Sequence, residues 1–71
     1  MVWQDMTPLE ALKMALDMEI RAHNTYMDVV KHSTREETKE VFKYLAAEEL
    51  KHQTLIKKEM EKPYYKEKSE E

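Results

Sequence analysis

Leu45-Ala46-Ala47-Glu48-Glu49-Leu50-Lys51-His52 reads as helix, and it sets two polar residues on the face that should be apolar. Followed in both directions, the stripe runs Thr38, Phe42, Leu45, Glu49, His52, Ile56, Met60, with Val41, Ala46, Glu48 and Leu55 beside it. Steps of three and four are one face of an α-helix. Glu49 and His52 lie on that face. Ionised carboxylates are rarely turned inward without a partner, and a cation is one such partner.

Upstream, the same spacing runs through Leu9, Leu12, Leu16, Glu19, His23, Tyr26 and Val30, widened by Ala15, Ala22 and Met27. Thr7-Pro8-Leu9-Glu10 marks its start: Thr7 caps, Pro8 fits the first helical position, and Glu10 completes a capping box. The pattern breaks at His32-Ser33-Thr34-Arg35, where Ser33 with Glu36, or Thr34 with Glu37, offers a second box. Pro63 ends the second helix. The expected organisation is a lead-in over 1–7, a two-helix half-domain over 8–62 with helices at about 8–32 and 35–62, and a charged tail over 63–71.

Both helices rise equally per residue, so a turn near residue 34 makes antiparallel neighbours sum to about 68. Glu19 and Glu49 meet that sum, as do Tyr26 and Phe42. The fold expected is all-α: an antiparallel two-helix hairpin with a carboxylate from each helix at one height and His52 one turn away.

The chain has 71 residues, no glycine, no cysteine and a net charge of −3. A chain this short needs a disulfide, a metal or self-association to support its core. Without cysteine, disulfides and thiolate metal sites are excluded. Acids and bases are interspersed, which leaves no basic patch for nucleic acid. No apolar run reaches membrane length. Residues 1–5 lack the charged and apolar regions of a signal peptide, so a cytoplasmic setting is expected.

A second copy would complete a four-helix bundle, and a two-fold axis through it would gather four glutamates and two histidines. That is the ligand set of di-iron carboxylate bundles, a Glu from each of two helices and a Glu-x-x-His from each of the others. Hard oxygen donors with imidazole suit iron; zinc or manganese would fit the same donors without redox chemistry.

Two segments carry a family resemblance: Ala15-x-x-x-Glu19-x-x-Ala22-x-x-x-Tyr26, with its Glu-x6-Tyr step, and Leu45 to His52, with its Glu-Glu-x-x-His step. They resemble the rubrerythrin branch of the ferritin-like superfamily over roughly residues 9–60. Rubrerythrins carry the motifs twice; here they occur once, which is similar to the encapsulated ferritins, whose two-helix units dimerise around the iron site. The resemblance implies a ferritin-like four-helix bundle in a homodimer or higher homo-oligomer. Glu19, Glu49 and His52 become metal ligands and catalytic residues, and Tyr26 a residue touching those ligands. It implies a ferroxidase that oxidises Fe(II) with O2 or H2O2. The alternatives are a rubrerythrin-type peroxide reductase served by an electron donor protein, or a non-catalytic metal-binding helical oligomerisation module.

Two features depart from the encapsulated group. Met18 and Arg21 stand where further acids surround the first-helix glutamate, and Lys66-Glu67-Lys68-Ser69-Glu70-Glu71 is unlike an apolar targeting peptide. An encapsulin shell is therefore not carried over as a partner.

The remaining polar residues have plainer readings. His23, one turn from Glu19, reads as a hydrogen-bonded core histidine, with a donor to the ligands or an extra ligand as the alternatives. Glu48 points about 100° away from Glu49 and reads as a flank residue pairing with Lys51. His32 complements the helix dipole. Met14, Met18, Met27 and Met60 read as gap-filling core residues, and Trp3 as an interface anchor.

Overall fold

The computed structural model describes residues 5–68, with side chains to residue 65. Two long helices dominate: α1, Pro8–His32, and α2, Glu36–Met60, followed by a short α3, Pro63–Lys68. Trp3 and residues 69–71 lie outside the described residues.

α1 begins as its sequence requires. The Thr7 hydroxyl accepts the Glu10 N–H at 3.0 Å, and the Glu10 carboxylate accepts the Thr7 N–H at 2.9 Å. At the other end the Ser33 N–H bonds the Val29 carbonyl at 2.8 Å, and the His32 ring donates from Nδ1 to the Asp28 carbonyl at 2.9 Å.

The second capping box does not form. Arg35 is the N-cap of α2, with φ −96° and ψ 125°, and makes no side-chain cap bond. The connection is only Ser33, Thr34 and Arg35, and Ser33 is already committed to closing α1. The extended residue left at the head of α2 is Arg35, whose guanidinium reaches forward to Glu37 at 3.0 Å. α2 stops at Met60, ahead of Pro63.

The tail, charged apart from Tyr64 and Tyr65, carries a helical turn. Pro63 starts α3, which folds back beside α1. The Tyr65 hydroxyl donates to Glu59 at 2.9 Å, and Tyr64 and Tyr65 meet edge to face at 5.0 Å.

The helices pack antiparallel. Tyr26 meets Phe42 edge-on, ring centroids 5.7 Å apart. Every residue of the α1 stripe from Leu9 to Val30 is half-buried, and so is the α2 stripe except His52. Ala46 alone among the described residues is fully buried. The flanks differ from expectation: Met18, Met27, Val41 and Leu55 are exposed.

One dimension explains this. The molecule measures 50 × 25 × 13 Å, so it is one helix thick. Its radius of gyration is 15.7 Å, against about 11 Å for a compact chain of this length. A single layer covers the line of helix contact and leaves the flanks in water.

Candidate metal centre

Glu19 from α1 and Glu49 and His52 from α2 converge midway along the hairpin. One ligand atom from each lies within 4.8 Å of the others. The His52 Nδ1 is 3.1 Å from Glu19 Oε2 and 3.6 Å from Glu49 Oε2. The shorter distance is a hydrogen bond, and a carboxylate oxygen only accepts, so Nδ1 carries the proton. Helix geometry builds the group: Glu49 and His52 are one turn apart on α2, and Glu19 is level with Glu49 across the hairpin.

The group lies at the edge of the contact line. Glu49 keeps 16% of its side-chain surface, Glu19 25% and His52 51%. Both carboxylates are thus held between the helices while the imidazole reaches outward. The donor set fits a divalent transition metal: two oxygen donors, one imidazole and no thiolate. Three ligands do not fill such an ion's coordination shell, so this cluster is open.

The other site residues fall outside the cluster. The His23 Nδ1–H donates to the backbone carbonyl of Ala46 at 3.0 Å, a bond between α1 and α2. Tyr26 is engaged with Phe42. Glu48 pairs with Lys51 at 3.5 Å. Of the readings from sequence, the partner of His23 was the one without a signal: a carbonyl has no side-chain signature. The small Ala46 side chain, which lets the helices approach, was the nearest clue. Glu59, the anchor of Tyr65, was also missed, because it depends on α3 folding back.

Among the described residues no helix is long and apolar enough to cross a membrane. Comparison with curated proteins and with solved structures gives no match. A family model, Rubrerythrin, matches residues 10–71. Members of that family typically bind iron, which agrees with two carboxylates and an imidazole drawn together from two helices. With all but the first nine residues inside the match, the chain belongs to the rubrerythrin family.

Proposed function

We propose that two copies pair across the open side of the hairpin, and that their two clusters hold a di-iron centre that oxidises ferrous iron with O2 or H2O2. The observation that carries this reading is the convergence of Glu19, Glu49 and His52 within 4.8 Å. The 13 Å thickness supports the pairing, because one layer of helices has nothing to cover its apolar flanks.

In this reading Glu19 and Glu49 hold the cations and offset their charge, and His52 completes each set from the exposed edge. Bound iron would supply one-electron chemistry toward oxygen or peroxide. The chain would orient and shield it: paired helices would exclude water from the carboxylates, and His52 would hold the cation as a neutral ring, keeping its single N–H on the nitrogen that does not bind. Fe(II) as substrate gives one electron per ion, so two ferrous ions and two protons reduce one H2O2 to two waters.

Family membership favours a second reading, peroxide reduction with electrons from a separate donor protein. The two readings share the site and differ in the source of electrons, Fe(II) as substrate in the first and a separate donor protein in the second.

Anaerobic titration of metal-free protein with Fe(II), followed by air or H2O2, tests both. Saturation near one iron per chain, with oxidation that is lost in Glu49→Ala, is the expected result. Oxidation as fast in Glu49→Ala as in the parent would overturn the oxidase. Repeated H2O2 turnover by iron that stays bound, sustained by an added reductant, would select the second reading, and binding without turnover would reduce the site to a structural clamp.

A further inference from the structure

Two side-chain hydrogen bonds join α1 to α2 among the described residues: His52 to Glu19, and His23 to the Ala46 carbonyl. The first is part of the metal cluster. The second lies one turn nearer the loop and has no part in the ligand set.

Its placement is unusual in energetic terms. The Ala46 carbonyl lies inside α2, where the helix already supplies it with a backbone N–H donor. Loss of His23 would therefore leave no orphaned acceptor, so the bond is not needed to satisfy Ala46. What it does is fix one helix against the other. Ala46 is 1% exposed, the most shielded point of the helix contact among the described residues. Elsewhere the contact line is half-buried, and apolar contacts of that kind are non-directional. They resist sliding and rotation weakly. A shift of one residue would move a ligand by about 1.5 Å along the axis and turn it by about 100°.

We propose that His23 is a positioning residue: its bond to Ala46 sets the rotation and height of α1 against α2, and so keeps Glu19 beside Glu49 and His52. The spacing supports this. His23 follows Glu19 by four residues and Ala46 precedes Glu49 by three, so the bond braces the turn adjoining each carboxylate. The consequence for metal, which rests on the function proposed above, is that the cluster is preorganised before the cation arrives.

The test uses full-length protein in three forms: parent, His23→Phe, and His23→Gln, whose amide can still donate. The first readout needs no metal. It is the 15N resonance of His52 Nδ1 in metal-free protein at fixed pH, which reports the bond to Glu19. The expected result is a shift in His23→Phe toward a solvent-exposed imidazole, with helicity unchanged, and recovery in His23→Gln. The second readout is Fe(II) and Zn(II) affinity, expected to fall about 10- to 100-fold in His23→Phe and to recover in His23→Gln, the range seen when partners behind a ligand are removed.

A His52 signal indifferent to His23→Phe would overturn the proposal whether or not metal binds. A parent without metal affinity whose His52 signal still follows His23 would sink the di-iron reading and leave the positioning role standing. Should His23→Phe not fold, His23→Ala, too short to reach Ala46, takes its place with the same expected and overturning results.

Discussion

Glu59 uses both carboxylate oxygens: Oε1 takes the Lys62 ammonium at 2.8 Å and Oε2 the Tyr65 hydroxyl at 2.9 Å. Lys62 first, and then Tyr65, hold its carboxyl below the usual range. In return Glu59 raises the phenol of Tyr65 and the ammonium of Lys62. A lowered carboxyl contributes to docking of α3 above its ordinary value of 4.5, and that contribution is lost as pH falls through the lowered value. A raised phenol contributes fully below its ordinary 10.0 and loses that contribution as pH rises through the raised value. Docking of α3 is therefore expected to hold across neutral pH and to loosen at both extremes. In Glu59→Gln the Tyr65 titration should move down toward an ordinary phenol, as followed by NMR; an unmoved midpoint would contradict the contact. At the cluster, Glu49→Ala should abolish any rise in melting temperature on adding Zn(II), because one of three ligands is gone. The meeting of Glu19 with Glu49 and His52 was legible from residue numbers alone, since equal rise in both helices makes height a matter of addition. The acceptor of His23 was not, because every residue of α2 offers the same carbonyl.

The two long helices differ in how they begin. Thr7 and Glu10 close the first turn of α1 reciprocally, whereas Arg35 leaves the first turn of α2 without a side-chain acceptor. Thr7→Ala is expected to cost about 1 kcal/mol, and Arg35→Asn to stabilise by about 0.5–1 kcal/mol, both read from denaturant melts. An Arg35→Asn protein no more stable than the parent would mean that the pair with Glu37 matters more than exposed pairs usually do. The extent of α1 followed from Thr7-Pro8-Leu9-Glu10 and an unbroken period. The start of α2 did not, because Ser33, Thr34 and Arg35 are few enough that closing one helix removes the best cap of the next. α3 was legible only as a helical turn within a tail: its charged composition resembles a solvated segment, and Pro63 signals a stop and a start equally well.

At the scale of the whole molecule, pairing predicts a solution mass near twice 8.6 kDa or a higher multiple. The melting temperature should rise with protein concentration, since association stabilises only the folded form. Metal should raise it further, and a chelator should reverse the rise. Sedimentation at several concentrations, with and without Zn(II), measures both; a folded monomer at every concentration would count against the bundle. The apolar flanks show why the core was only partly legible: Val41 and Leu55 are patterned for burial and lie in water because a single layer of helices leaves its flanks uncovered. A slab one helix thick has a kinetic consequence. If each chain holds half of a reaction centre, dilute chains should be nearly inert and turnover should grow with the square of chain concentration until the pairs are saturated. The rate law would then work as a safeguard, with redox chemistry withheld until there is enough protein to contain it.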